Sequence, residues 1–320
     1  MKPGHEQWLQ TMSARRVYRD ARCTDDMFVH AADEMKGYLN ACVQRFTRTL
    51  DVIREAVPVG GRVLEIGANP YFVTAVLLKD LRLDVTSLGR PPIVWPGSPV
   101  QACEDHERYL RVDTEIFPIR EAVCNAEKDP FPLADAQFDL VIAAEILEHL
   151  IFSPTHFLYE IHRVLKPGGH LVLTTPNAVQ LRYLLKWISG RSVWDQYSGY
   201  GVYGRHQREY TAREIEELLQ SLNFTVVQTD RYYARPLDSK LDGKLLEALY
   251  RVMPSRAPEM TFLARASGEP KVSYPDFLYR SLYPKPENVE AMRAFANRDG
   301  FNAVPTEQTT GATRSANARS

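Results

Sequence analysis

Val63-Leu64-Glu65-Ile66-Gly67-Ala68-Asn69-Pro70-Tyr71 is the stretch that decides how this chain folds. An apolar run ends in Gly67, and Val73, Val76 and Leu77 then recur at helical spacing. The pattern predicts a strand over Arg62 to Ile66, a tight turn, and a helix from about Pro70 to Lys79. A helix entered through such a turn offers unpaired backbone N–H groups and the positive end of its dipole, a natural seat for an anion. A dinucleotide turn wants Gly-x-Gly-x-x-Gly, so that the backbone can approach a pyrophosphate. Here the second and third glycine positions hold Asn69 and Phe72, whose side chains would crowd a diphosphate. Asn69 still tolerates a left-handed backbone, so the turn survives. The carboxylate of an amino acid, with its ammonium alongside, demands less of the backbone, and Glu65 can pair with that ammonium. The motif alone also admits a purely structural strand–turn–helix corner.

Downstream the same rhythm repeats. Leu83 to Leu88 reads as a second strand, Ile119 to Cys124 as a third, Phe138 to Ala143 as a fourth and His170 to Thr174 as a fifth. Between the second and third lies a stretch with Pro91, Pro92, Pro96 and Pro99 and the charged run Glu104 to Arg108, long for a connection of this kind. A helix from about Pro154 to Leu165 has Ser153 as its cap and Pro154 in its first turn, and Lys166-Pro167-Gly168-Gly169 stops it. Thr211-Ala212-Arg213-Glu214 is a capping box that opens a helix through Leu222, with Ile215, Leu218, Leu219 and Leu222 inward. Phe224 to Thr229 is a sixth strand. A helix near Leu241 to Val252 and a strand near Met260 to Ala266 complete the series. Strands alternating with helices predict an α/β fold, a parallel sheet covered on both faces.

Residues 1–60 read as a helical extension. Met35, Leu39, Val43, Phe46, Leu50, Ile53 and Val57 recur at steps of four and three, one face of a long amphipathic helix that packs on the main domain, covers a pocket or meets a second copy. Residues 61–267 form the main domain. Within it 177–210 is an aromatic, basic insertion over the sheet's carboxyl edge, with Tyr183, Trp187, Trp194, Tyr197, Tyr200, Tyr203 and Tyr210. Residues 268–301 are a C-terminal extension, and 302–320, rich in Thr, Ala, Ser and Gly, read as a disordered tail.

The chain has 320 residues, 25% charged and 44% hydrophobic, which is globular composition. Its formal charge is −1, without the basic excess of a nucleic-acid binder, so no nucleic-acid partner is expected. Four scattered cysteines, Cys23, Cys42, Cys103 and Cys124, have neither zinc nor redox-pair spacing and read as reduced and structural, and no metal is expected. There is no apolar signal-peptide core near Met1 and no spanning run of about 18 apolar residues, which points to a cytoplasmic protein.

Four blocks now fall in order. Glu65-Ile66-Gly67, Asn125-Ala126-Glu127-Lys128-Asp129-Pro130-Phe131-Pro132, Phe138-Asp139-Leu140-Val141-Ile142 with Glu145-Ile146-Leu147-Glu148-His149-Leu150, and Arg163-Val164-Leu165-Lys166-Pro167-Gly168-Gly169-His170-Leu171. Over roughly Arg62 to Asp230 the chain resembles the class I S-adenosylmethionine (SAM) dependent methyltransferases, of the methyltransferase-11 type that includes ubiquinone and menaquinone biosynthesis enzymes. The resemblance implies a Rossmann-like sheet of seven strands, mostly parallel, the last antiparallel. It implies SAM as cofactor, bound by Glu65, Gly67, Ala68, Asn69, Asn125, Ala126, Glu127, Ala144 and Glu145. Gly67 and Ala68 would lie against the homocysteine part and Glu65 would meet its amino group. Asn125 would read the adenine amine with its amide oxygen, Ala126 would add a backbone N–H, and Ala144 and Glu145 would line the methionine end. One departure stands out: the family's acid at the end of strand two, which holds the ribose, is missing from Thr86-Ser87-Leu88-Gly89-Arg90. Backbone groups or the loop with Glu104 and Asp105 are the expected substitutes.

Methyl transfer from a sulfonium is an in-line displacement that mainly needs alignment, and an oxygen acceptor also needs a base. His149, just past strand four, and His206, in Gly204-Arg205-His206-Gln207-Arg208-Glu209-Tyr210-Thr211, are the candidate bases, each with a structural alternative as a cap or turn residue. The insertion is the expected substrate cover, with Tyr203, Arg205, Arg208 and Tyr210 as acceptor contacts. Leu181 to Trp194 is amphipathic and basic, as suits a lid, or a segment resting on a membrane surface that faces a lipid-linked substrate. The expected activity is methylation of an oxygen on a small molecule, glycan or lipid-linked acceptor. The competing readings are a catalytically inactive SAM- or nucleotide-binding protein, favoured by the missing acid, and a nicotinamide oxidoreductase, disfavoured by Asn69 and Phe72.

Overall fold

Among the residues described in this computed structural model, 4–18, 32–90, 108–199, 202–233 and 248–278, nine strands hydrogen-bond into one sheet. In chain order the elements are α1 (His5–Ala14), β1 (Arg15–Tyr18), α2 (Ala32–Ala56), β2 (Arg62–Ile66), α3 (Phe72–Lys79), β3 (Asp84–Gly89), β4 (Arg108–Val112), β5 (Glu115–Val123), β6 (Phe138–Ala144), α4 (Pro154–Val164), β7 (Leu165–Pro176), α5 (Leu181–Ile188), α6 (Ala212–Ser221), β8 (Phe224–Tyr232) and β9 (Glu259–Ala266). They lie in the unit Met1–Pro275.

Across the sheet the order is β1-β4-β5-β3-β2-β6-β7-β9-β8. β5, β3, β2, β6 and β7 run parallel, and β9 lies antiparallel between β7 and β8. These are the seven expected strands, with the last in sequence reversed. The winding changes direction between β2 and β6, which opens a crevice at the carboxyl ends of those two strands, where open α/β sheets bind their ligands.

Two strands extend the expected sheet. β4 forms an antiparallel pair with the first half of β5, and β1 pairs with β4. The first 60 residues are therefore not helical throughout. Arg15-Arg16-Val17-Tyr18 has no apolar helical stripe, and an open sheet edge satisfies its backbone groups instead. α2 is the long helix that the apolar stripe predicts. Leu39, Leu50 and Ile53 are buried in one cluster with Val76 and Leu77 of α3 and Ile142 of β6, and Val43, Phe46 and Val57 pack partly buried against it. The Met35 side chain is outside the described residues. The helix thus shares the core of the main sheet. Three other expectations lie outside the described residues: the proline-rich loop 91–107, the helix near 241 except for helical residues 248–252, and the terminal segments beyond 278.

The local start signals work as chemistry dictates. Ser153 Oγ accepts the Thr155 N–H at 3.2 Å with Pro154 in the first turn of α4. Thr211 and Glu214 exchange both capping-box hydrogen bonds at α6, whose Ile215, Leu218 and Leu219, with Leu222 beyond, are buried.

Lys166-Pro167-Gly168-Gly169 follows the end of α4 as expected, but β7 already begins at Leu165, ahead of the predicted His170. Lys166 Nζ reaches both oxygens of Asp139 at 2.8 Å, and Asp139 Oδ2 also accepts the Arg62 N–H at 2.9 Å, so one carboxylate joins β7, β6 and β2. Gly168 has φ 78°, open to glycine at little cost. Gly169 is required for space: a Cβ there would stand 2.9 Å from the Lys166 carbonyl oxygen and 3.2 Å from that of Asp139. Both obstacles are backbone atoms, so Gly169→Ala is expected to lower stability by about 1–3 kcal/mol. An unchanged urea midpoint would contradict this.

Candidate active site

The first turn is the expected seat of the amino-acid end. Glu65 lies within β2's buried run, one residue before its end at Ile66. Thr74 Oγ1, on α3, donates to Glu65 Oε2 at 2.6 Å. Burial pushes the Glu65 pKa up to about 7, and the Thr74 hydrogen bond offsets this only in part. A buried carboxyl in that condition gains from a cation, which fits the ammonium of an amino acid. Gly67 has φ 71°, and its N–H donates to the Leu88 carbonyl at 2.9 Å, tying the turn to the end of β3. The helix begins later than expected, at Phe72, because Tyr71 is left-handed at φ 66° and so outside helical geometry. Asn69 is exposed at the lip of the turn and Ala68 is buried beneath it.

The second seat lies across β3, at the end of β5. Asn125 Oδ1 accepts the Glu127 N–H at 3.2 Å, and the Asn125 N–H goes to Asp129 Oδ2 at 2.9 Å. Ala126, half-buried, lies between them. Glu127 faces inward: its Oε1 accepts the backbone N–H groups of Ile151 and Phe152, and its Oε2 accepts the Tyr203 hydroxyl at 2.7 Å. Arg90 lies over the Tyr203 ring, 4.4 Å from its centroid. Tyr203, expected at the acceptor, is thus beside the segment expected to read adenine. The segment after Asp129 is held by α4. Phe131 N–H donates to Glu160 Oε2 at 2.7 Å, and Arg163 donates to the Phe131 and Leu133 carbonyls at 3.0 and 2.9 Å. Of the expected ribose groups, Glu104 and Asp105 are outside the described residues.

The third cluster follows β6. Ala144 ends that strand and pairs with Thr174 of β7. Glu145 has φ 55°. Its Oε1 accepts the Thr174 hydroxyl at 2.9 Å, and its Oε2 accepts Arg45 Nη1 at 2.9 Å. Arg45 comes from α2, is buried, and also lies 3.9 Å from Glu259 Oε2. Burial alone would lower its pKa, but the charge of Glu145 and then its other neighbours outweigh this and raise it. Glu148 is buried and accepts the Thr175 hydroxyl at 3.0 Å through Oε2. Its Oε1 is buried without a hydrogen-bond partner, and burial with the nearby Glu145 charge drives its pKa well up, toward the neutral acid.

The structure brings the two candidate bases together. The Gln207 and Arg208 N–H groups both donate to the Glu148 carbonyl, at 2.7 and 3.2 Å, stitching the insertion's end to the turn after β6. The His149 and His206 rings then meet edge to face at 4.9 Å. His149 Nδ1 is 3.1 Å from the Arg205 carbonyl oxygen, a contact it makes as donor, which leaves Nε2 as the acceptor of the neutral ring. Burial, then the His206 charge, lower its pKa. His206 Nδ1 is 2.7 Å from Glu209 Oε1, which also accepts the Tyr183 hydroxyl at 2.7 Å. Burial opposes the charged form of His206, but its hydrogen bond to Glu209, with the Glu209 and Asp195 charges, prevails and raises its pKa. The two environments therefore pull apart: that of His149 favours the neutral ring, and that of His206 favours the charged one.

Arg205 stacks over Tyr197 at 4.6 Å and reaches Gln207 Oε1 at 3.3 Å, close to His149. Arg208 and Tyr210 are turned elsewhere: Arg208 pairs with Glu214 of the α6 cap at 2.9 Å, and Tyr210 is buried and bridges to Asn177. Sequence reasoning missed Arg45, Glu148 and Glu209. The signal for Arg45 was an arginine directly beside Phe46 in the apolar stripe of α2. A charge on a core-facing helix side requires a buried partner. Glu148, His149 and His206 each bring a potential ligand atom within 4.8 Å of the others. Ligand atoms around a tetrahedral cation at about 2.1 Å lie about 3.4 Å apart, so this set has to draw inward to hold one. The hydrogen bonds to Arg205 and Glu209 hold it in its present form.

Residues 39–229 match the family described as a methyltransferase domain. A probable S-adenosylmethionine-dependent methyltransferase of Mycolicibacterium smegmatis is 30% identical over 155 residues, 47% of this chain and 51% of that protein. The human mitochondrial ubiquinone biosynthesis O-methyltransferase is 32% identical over 127 residues, 40% of this chain and 32% of that one. A dimethylglycine N-methyltransferase of Parasynechococcus marenigrum is 29% identical over 132 residues, 39% and 41% respectively. The chain thus spans about half or less of the length of these relatives. Among the described residues no helix is long and apolar enough to cross a membrane.

Proposed function

Because the chain belongs to the methyltransferase-domain family, we propose that it is a SAM-dependent methyltransferase acting on an oxygen of a small-molecule, glycan or lipid-linked acceptor. Bound SAM supplies an electrophilic methyl on a sulfonium. Glu65 and the Gly67 turn hold its amino-acid end, and Asn125 with Ala126 hold its adenine. Glu145, fixed by Arg45 and Thr174, walls the crevice beside the transferring centre.

The observation that supports the oxygen acceptor is the placement of His149 at the carboxyl edge, with Nδ1 engaged by the Arg205 carbonyl and the neutral ring favoured by burial. An amine acceptor brings its own lone pair once it is neutral. A hydroxyl becomes a good nucleophile only as its proton leaves, and His149 Nε2 takes that proton as the oxygen–methyl bond forms. α5 is the proposed cover: Leu184, Leu185, Trp187 and Ile188 are exposed on it, beside the basic Arg182 and Lys186. The test is methyl transfer from labelled SAM to extract fractions, with the labelled product cleaved to reveal an O-methyl or N-methyl bond. An N-methyl product overturns the oxygen reading. Calorimetry that detects NADH but not S-adenosylhomocysteine overturns the cofactor reading.

Glu65 gives this reading a pH signature. Only its ionised form pairs with the ammonium, and its carboxyl titrates near pH 7 in the unliganded protein. Below that pH binding must first expel a proton. S-adenosylhomocysteine affinity is therefore expected to rise with pH, by up to about tenfold per unit below 7, and to level off above it. Glu65→Gln flattens this dependence. A wild-type affinity independent of pH between 5.5 and 8 contradicts the assignment.

A further inference from the structure

β3 ends in Gly89, with no acid at its carboxyl edge. The backbone does not require glycine there, because Gly89 is outside the left-handed region. What the glycine supplies is room. A Cβ at that position would stand 3.1 Å from Glu121 Oε1 and 3.9 Å from Glu121 Cδ. Glu121 belongs to the neighbouring β5 and is paired in parallel register with Ser87, two residues before Gly89. Residues two apart on a strand share a face, so the Glu121 side chain lies on the Gly89 face and reaches forward to put its carboxylate over the glycine.

Gly89 also lies between the two seats already described. On one side the Gly67 N–H donates to the Leu88 carbonyl at 2.9 Å; on the other the Cys124 N–H donates to the Gly89 carbonyl at 3.1 Å, and Asn125 follows at once. In an adenosyl ligand stretched from the Gly67 turn to Asn125, the part above Gly89 is the ribose. Its 2′ and 3′ hydroxyls are two adjacent donors, and a carboxylate offers two acceptor oxygens to match.

We infer that Glu121 holds the ribose diol of the cofactor, reaching over from β5 to the place where β3 provides no side chain. The inference rests on the SAM reading above. Glu121 binds and positions the adenosyl group and takes no part in the chemical step. The glycine and the glutamate form one device: the first clears the space that the second occupies.

The test is calorimetry of the full chain with two ligands, S-adenosylhomocysteine and its 2′,3′-dideoxyribose analogue. The unaltered protein should prefer the diol by about 10- to 100-fold, the worth of charge-assisted hydrogen bonds. Glu121→Ala should lose that preference by weakening S-adenosylhomocysteine alone, with the analogue unchanged. The double variant Gly89→Asp with Glu121→Ala, which returns a carboxylate to β3, should regain it. Circular dichroism and thermal melting establish that each variant is folded. Glu121→Ala that keeps the preference, or that weakens both ligands equally, overturns the inference while the cofactor reading stands. If the unaltered protein binds neither ligand, the cofactor reading itself fails and takes this inference with it.

Discussion

Arg45→Met is expected to destabilise the protein by about 3–5 kcal/mol, one of the two largest effects this fold offers. Arg45 is 4% exposed and donates to Glu145 at 2.9 Å, with Glu259, also buried, 3.9 Å away. Methionine fills much of the same volume, so the loss is not a cavity. It is the stranding of carboxylates in a largely buried site. Glu148 is already driven toward its neutral form by burial and by Glu145, and without the guanidinium Glu145 and Glu259 lose the cation between them. That loss costs free energy at neutral pH. Urea unfolding checks this through a lower midpoint at unchanged slope. Adding Glu145→Gln to Arg45→Met should recover part of the loss, since it removes one stranded charge. Equal midpoints for wild type and Arg45→Met would show that the contact is dispensable.

His149→Ala is expected to lower kcat for methyl transfer by about 10²-fold or more. S-adenosylhomocysteine affinity should stay nearly constant, because the ring serves the acceptor and not the cofactor. A base works only when neutral, so the rate should rise with pH and level off. Burial and the neighbouring His206 charge lower the His149 pKa, which places the acidic limb of the profile below the ordinary imidazole range. His206→Ala removes the like charge beside it, so that limb should move to higher pH, toward the ordinary value. This shift separates a positioned base from a structural histidine: loss of mere packing would lower the rate without moving the profile. Unchanged turnover in His149→Ala rules out the assignment.

Much of the fold was legible because its signals are local. Apolar strands, the glycine turn, the Ser153 cap and the Thr211–Glu214 capping box depend on neighbours within a few residues, and the structure carries each of them. The start of α3 was misread by two residues, because the left-handed Tyr71 keeps the chain out of helical geometry until Phe72, and a tyrosine gives no local sign of that conformation. The edge strands β1 and β4 were missed for another reason. Arg15–Tyr18 becomes a strand only because Arg108–Val112 is beside it, some ninety residues away in the chain.

The sequence by itself determined the α/β architecture, the strand–turn–helix corner at Gly67 and the two histidines worth testing. Tertiary structure alone decided how charge is distributed among them. Arg45 reaches Glu145 across 100 residues, and His149 meets His206 across 57 only because the insertion returns to the turn after β6. Periodicity reports which face of an element is buried. The protonation of a buried acid or imidazole is set by dielectric and by charges a few ångströms away, whichever part of the chain supplies them.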